Sequence, residues 1–308
     1  MLIEITGRCE PRCPEDHAMP GDAGDFDPDV LGEVLPVLRS LGVSALVMTG
    51  GEPILHPRFG ELLALSCRDG CRLGLRSHGW QVPEYLQAFA PYRERIAHVL
   101  LTLRGPAARA HNGASPAAGD FVRIVEAIDG YRQAGYAVIV DHVVDEQTMG
   151  HLTALGEFLA PRSITLHLRA AVPAQGGAEP AWPAGPAARS ALIAQIHALK
   201  QILSERIVLE PSLGVNHSYN FCSNFAVMDK ILLRANGSVV FCHRCRPSDR
   251  SAVLGNLRDD TLRAILGHHP ARVGAIWSAR LAAMAAEPPA IRNNCAFCQD
   301  TLRATKPT

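Results

Sequence analysis

From its start to about residue 205 the chain repeats one unit: a short, nearly continuous apolar run, then an amphipathic stretch with helix start and stop signals. The apolar runs are 2–6, 44–49, 72–77, 98–103, 137–144 and 163–169. Runs of this kind are what parallel strands buried on both faces look like, and six βα units in a row leave few options besides a barrel or an open doubly wound sheet. The helical stretches are equally legible. Asp27-Pro28 opens one whose Val30, Val34, Leu38 and Leu41 share a face, Gly42 ends it, and Pro36 predicts a kink within it. Pro57 opens a second, Asp120 a third, and leucines at 152, 155 and 159 and at 192, 199 and 203 mark two more.

The rhythm stops near residue 205, after an Ala/Gly/Pro-rich linker over 170–186. Beyond it, Asn236-Gly237 between two β-rich runs predicts a hairpin, followed by helices over 260–266 and 271–285. Two units are therefore expected: an α/β unit over 1–205 and a small cysteine-rich α+β unit over 206–308.

At 47% hydrophobic, 308 residues bury a large core, which excludes a disordered chain. Thirty basic against thirty acidic residues give no bulk attraction to nucleic acid or to an anionic membrane, so neither is an expected partner. No apolar run reaches bilayer length, and Met1–Ile5 lacks the basic, then apolar, character of a secretory leader. The expectation is a cytoplasmic protein, and nine cysteines in a reducing compartment then need a reason other than disulfides.

Cys9 and Cys13 follow the first strand directly, at the strand's C-terminal end, where parallel α/β barrels keep their chemistry. The second strand ends at the same edge in Thr49-Gly50-Gly51-Glu52-Pro53, whose glycines let a ligand approach the backbone. In this order and spacing the residues resemble the radical S-adenosylmethionine (SAM) enzymes. Their CxxxCxxC motif holds a 4Fe–4S cluster whose remaining iron binds the methionine part of the cofactor. Ser77-His78-Gly79, Thr102-Leu103-Arg104-Gly105 with His111, and Arg169 with Pro173 and Gly176 are similar to the family's segments after strands three, four and six. The resemblance covers the first 180 residues. It implies a partial (β/α)6 barrel, metal ligands at Cys9 and Cys13, and SAM contacts at Gly50, Gly51, Glu52, Pro53, Ser77, Thr102 and Arg169. The sequence departs from the motif where a third cysteine belongs: residue 16 is Asp16, followed by His17. Either is a candidate third ligand or catalytic acid/base, although thiolates suit iron–sulfur clusters better than carboxylates do.

Cys222, Gly237 and Cys242 are spaced C-x14-G-x4-C, and Cys295-x2-Cys298 follows. A hairpin at Gly237 brings separated thiols together, and a CxxC turn presents two more. This spacing, with Leu254-Gly255-Asn256-Leu257, resembles the Twitch form of the SPASM extension, which implies a second, auxiliary 4Fe–4S cluster. Cys242, Cys245, Cys295 and Cys298 also read as a structural zinc site, which leaves Cys245 an alternative ligand.

What the resemblance implies is reductive cleavage of SAM to a 5′-deoxyadenosyl radical and hydrogen abstraction from a small carbohydrate-like or nucleotide-like substrate; the Ala/Arg/Gly-rich composition points to natural-product biosynthesis. A flavodoxin or ferredoxin would donate electrons, and the auxiliary cluster would accept an electron, bind substrate or donate sulfur. The alternatives are SAM-dependent methyl or aminocarboxypropyl transfer, and a binding protein that keeps only its C-terminal metal. Other signals are read as structural: Cys67 and Cys71 as buried thiols, His268-His269-Pro270 as a helix-ending turn, and Asp259-Asp260 as a helix N-cap. One of Asp141 and His142 is expected to face the barrel interior.

Overall fold

The computed structural model describes residues 1–9, 24–68, 70–112, 120–171, 185–213, 222–245, 250–286 and 294–304. Six strands follow the rhythm of the sequence: β1 (Leu2–Thr6), β2 (Ala45–Gly50), β3 (Arg72–Ser77), β4 (Ile96–Thr102), β5 (Val138–Val144) and β6 (Thr165–Ala170). They pair in parallel in sequential order, and β7 (Ile207–Leu209) adds to β6. The intervening helices are α1 (Pro28–Ser40), α2 (Phe59–Arg68), α3 (Val82–Phe89), α4 (Ala108–Asn112), α5 (Asp120–Gln133), α6 (Leu152–Leu159) and α7 (Pro186–Leu203). Asp27 caps α1, its side chain accepting from the Asp29 amide at 3.0 Å, and α1 continues through Pro36 to Ser40.

After α8 (Asn224–Val227) the chain returns to the other edge of the same sheet. β8 (Leu232–Leu233) pairs in parallel with β1, and β9 (Ser238–Val240) and β10 (Val253–Asn256) continue it antiparallel, making ten strands. Gly237 turns the β8–β9 hairpin with φ +84°, its amide donating to the Arg234 carbonyl at 2.9 Å, as the Asn-Gly pair predicts. α9 (Leu262–Gly267), α10 (His269–Ala286) and α11 (Asn294–Ala304) complete the chain. Asp259-Asp260 is not the N-cap of α9: Thr261 is, its hydroxyl accepting from the Ala264 amide, while Asp260 accepts from the Thr261 amide. The carboxylate is spent one residue early, so the cap falls to the next side chain that reaches into the first turn.

One face of the six strands packs on the helices through Ile3, Ile5, Leu46, Met48, Leu73, Leu75, Val99, Leu101, Val140, Leu166 and Leu168, all buried. The opposite, inner face is mixed, with Val47, Leu100, Ile139 and Val143 beside polar and charged groups. Residues one position out of phase, Glu4, Arg76, Asp141, His167 and Arg169, point there. The strands are thus two-faced rather than apolar on both sides, and Asp141, not His142, is the inward member of its pair. Cys67 and Cys71 are buried at the turn between α2 and β3. Among the described residues no helix is long and apolar enough to cross a membrane.

Candidate active site at the barrel edge

The segment that leads to Cys9 is stapled at its neck. Gly7 donates to the Gly24 carbonyl at 3.1 Å and Phe26 to the Ile5 carbonyl at 2.8 Å. The Asp25 carboxylate accepts from the Thr6 hydroxyl at 2.6 Å and pairs with the Arg8 guanidinium at 2.8 Å. Cys9 stands just past this neck, and Cys13, Asp16 and His17 lie outside the described residues.

The Gly50–Pro53 turn is zipped to the same neck. Gly51 donates to the Thr6 carbonyl at 2.9 Å and Glu52 to the Arg8 carbonyl at 2.7 Å. A Cβ on Gly51 would overlap the Arg8 carbonyl and sit 2.8 Å from the Cys9 Cβ, so the glycine is what allows the two segments to touch. The first thiol and the glycine turn are therefore one unit at the C-terminal edge of the sheet.

Glu52 is fully buried and does not face outward. It accepts from the Tyr85 hydroxyl on α3 and from the His78 amide at 2.9 Å, and the Tyr85 oxygen in turn accepts from the Ile54 amide at 2.8 Å. Ser77, at the end of β3, accepts from the Gly79 amide at 3.0 Å. Thr102 is buried at the end of β4. Arg169, near the end of β6, donates through Nε to Asp141 at 2.8 Å. All the residues expected to contact SAM thus lie toward one edge, but Glu52 and Arg169 are already committed to protein partners.

Asp141 is fully buried and organises the inner face. Arg76 reaches it from β3, across β4, and His167 Nδ1 lies 2.7 Å from its other oxygen. Burial alone would raise its pKa, but Arg169, Arg76 and His167 overcome that and hold the carboxyl well below the usual range. The chain of groups continues beyond the barrel. His167 Nε2 is 4.0 Å from Glu210, which is itself 3.7 Å from His243 Nε2 and 3.5 Å from Arg244 Nε. Burial opposes ionisation of Glu210 as well, yet the His243 hydrogen bond and the Arg244 charge keep its carboxyl ionised.

Arg244 leads into the second cysteine group. Cys222, Cys242, Cys245, Cys295 and Cys298 line one pocket, walled by Phe225, Phe241, Ile276 and Phe297. Burial pushes the Cys222 thiol up to about 11 and Cys295 up to about 12; a hydrogen bond with Cys245, then burial, raises Cys242. Thiols so raised keep their protons until a bound metal displaces them, releasing the protons to water. Among the described residues no three His, Cys, Asp or Glu side chains are drawn together as a metal cage. Five thiols in an apolar pocket are nonetheless a donor set that fits a soft metal or an iron–sulfur cluster.

The model of the radical SAM superfamily matches residues 3–159, more than half of the chain. The chain belongs to the radical SAM superfamily. Solved radical SAM-fold structures agree in architecture. SuiB of Streptococcus suis bound to S-adenosylmethionine superposes with a TM-score of 0.65 at 12% identity, over 86% of this chain and 64% of that one. anSMEcpe with bound AdoMet superposes with a TM-score of 0.65 at 16% identity, over 86% of this chain and 76% of that one. The chain thus spans less than two thirds of the length of SuiB. No curated protein matches its sequence.

Arg76, Tyr85, His167, Glu210, His243 and Arg244 are the site residues that sequence reasoning missed. For all but Tyr85, which lies within α3, the signal was a polar or charged residue interrupting an apolar run or standing just beyond a strand, which has no meaning until the inner face of the sheet is known.

Proposed function

We propose that this chain is a radical SAM enzyme that cleaves SAM reductively and abstracts hydrogen from a peptide held over the inner face of the barrel. The observation that carries it is the fusion of the Gly50–Gly51 turn with the Cys9 neck, which joins a thiol ligand to a set of backbone groups suited to an amino acid moiety. Cys9 and Cys13, with Asp16 or His17 as third ligand, would hold the first 4Fe–4S cluster. When bound, that cluster supplies the electron for cleavage of SAM. Gly50, Gly51 and Pro53 would receive the methionine end of SAM, Glu52 would hold that turn in place from behind, and Ser77, Thr102 and Arg169 would fix the rest.

Two of the solved fold neighbours carry peptides, SuiB with the precursor peptide SuiA and anSMEcpe with a peptide called Kp18Cys. That moves the favoured substrate class from a small carbohydrate-like or nucleotide-like molecule to a peptide. The C-terminal pocket would hold the auxiliary cluster in a Twitch-like unit over 206–308. The superposition on SuiB covers a larger share of this chain than residues 1–205 make up, which supports that extension. A flavodoxin or ferredoxin is the class of electron donor such chemistry needs.

The test is anaerobic purification with iron, sulfide and zinc counted per chain, followed by assay for 5′-deoxyadenosine. About eight irons and SAM cleavage, with cleavage lost in Cys9→Ala/Cys13→Ala, is the expected result. About four irons that survive Cys9→Ala/Cys13→Ala but not Cys295→Ala/Cys298→Ala would leave only the auxiliary site and end the radical reading. One zinc and no iron would end both cluster assignments. Asp16→Ala separates a ligand or acid/base role, which predicts lost turnover, from a bystander.

A further inference from the structure

Arg244 touches three parts of the molecule at once. Its backbone amide lies 3.4 Å from the Cys242 Sγ, and its carbonyl accepts from the Gln299 side chain at 2.9 Å, on the same helix as Cys295 and Cys298. Its guanidinium points the other way, donating to the Ala170 carbonyl at the end of β6 and pairing with Glu210 just after β7. The side chain is only 7% exposed, and the residue lines the five-thiol pocket. A buried guanidinium at this point is held by two partners on the barrel and is not placed there by solvent.

We infer that Arg244 is a positioning residue that locks the five-thiol pocket onto the barrel edge and sets a positive charge beside the cluster bound there, raising its reduction potential. The inference rests on the auxiliary-cluster reading above. The potential of an iron–sulfur cluster follows the charge around it and the hydrogen bonds to its sulfurs, and Arg244 supplies both, the charge from its side chain and a donor from its backbone. Glu210 is the opposing charge. Its carboxylate lies behind the guanidinium and partly cancels it, so the two side chains act on the pocket with opposite signs. His243 and His167 also face Glu210, and Arg280 also lines the pocket.

The experiment uses the full chain with Cys9→Ala/Cys13→Ala, so that all bound iron reports the C-terminal pocket. It is reconstituted anaerobically, and iron, sulfide and the potential are measured by dithionite titration followed by electron paramagnetic resonance. About four irons per chain are expected in this background and in each added variant. Arg244→Gln shifts the potential negative, Glu210→Gln shifts it positive, and Arg244→Lys, which keeps the charge, leaves it near the starting value. A structural role alone would change thermal stability in these variants without opposite shifts in potential. Loss of iron in Arg244→Gln with retention in Arg244→Lys supports the lock, and Glu210→Gln then decides the charge effect. Iron retained with the potential unmoved, or moved in the same direction by Arg244→Gln and Glu210→Gln, overturns the inference alone. Absence of iron in the background protein overturns the auxiliary-cluster reading and this inference with it.

Discussion

The hydroxyl of Tyr85 donates to the carboxylate of Glu52, and both side chains are completely buried. The acidic residue of the Gly50–Pro53 turn is thus anchored from α3, and through the His78 amide it also ties the end of β2 to the end of β3. Removing the hydroxyl leaves a buried carboxylate short of a donor, which costs about 1–3 kcal/mol. Tyr85→Phe is expected to lower thermal stability and to weaken SAM binding more than it slows cleavage at saturating SAM. Calorimetric titration of SAM beside a melting curve checks this, and unchanged affinity in a destabilised protein would show that Glu52 supports the fold only.

Gly51→Ala makes a sharper statement. The added methyl has the Arg8 carbonyl and the Cys9 Cβ in its way, neither of which is the flexible end of a side chain, so the neck and the turn must separate. The expected outcome is loss of iron from the N-terminal site with the C-terminal iron retained, read as the fall in iron per chain. Gly60→Ala, where an added Cβ meets nothing, is the matched control.

Much of this was legible in the sequence because the alternation of strand-like runs and amphipathic stretches reports the βα order well. The apolar runs alternating with helical stretches give the parallel sheet, and Asn236-Gly237 gives the hairpin. The inner face was not legible. Arg76, Asp141 and His167 come from three strands, and only the curl of the sheet brings β3 to β5 across β4. The convergence of Cys222, Cys242, Cys245, Cys295 and Cys298 on one pocket follows the spacing argument, whereas the side chain that links the pocket to the barrel, Arg244, carries no spacing signal at all.

Asp141 is the keystone of that inner face. Asp141→Ala leaves Arg76 and Arg169 without their shared carboxylate, and removal of one partner from a buried pair costs about 3–5 kcal/mol. A loss of that size should appear in chemical denaturation as a lower midpoint with little change in slope. Combining Asp141→Ala with Arg76→Met should recover part of the loss, because a half-buried guanidinium no longer faces the site of the missing carboxylate. A double variant no more stable than the additive expectation would mean that the two side chains are not coupled.

His142 is fully buried, its Nδ1 lies 2.7 Å from the Leu103 carbonyl, and burial lowers its pKa to about 4; burial does the same to His111, also to about 4. In the unfolded chain both titrate near 6.5. Between pH 6.5 and 4 the unfolded state therefore binds protons that the folded state refuses, so stability is complete above this window and declines as pH falls through it. Each histidine contributes a slope of up to about 1.4 kcal/mol per pH unit. Asp141 and Glu210, held low by their cationic neighbours, begin to contribute as pH falls through the ordinary carboxylate range, where the unfolded chain takes up their protons, so they steepen the acid end below the histidine onset. Denaturation midpoints measured from pH 7.5 to 4.5 should fall steadily below about 6.5, and His142→Leu, which cannot take up a proton, should flatten the curve. An unchanged slope in that variant would mean that His142 does not stay neutral in the folded protein.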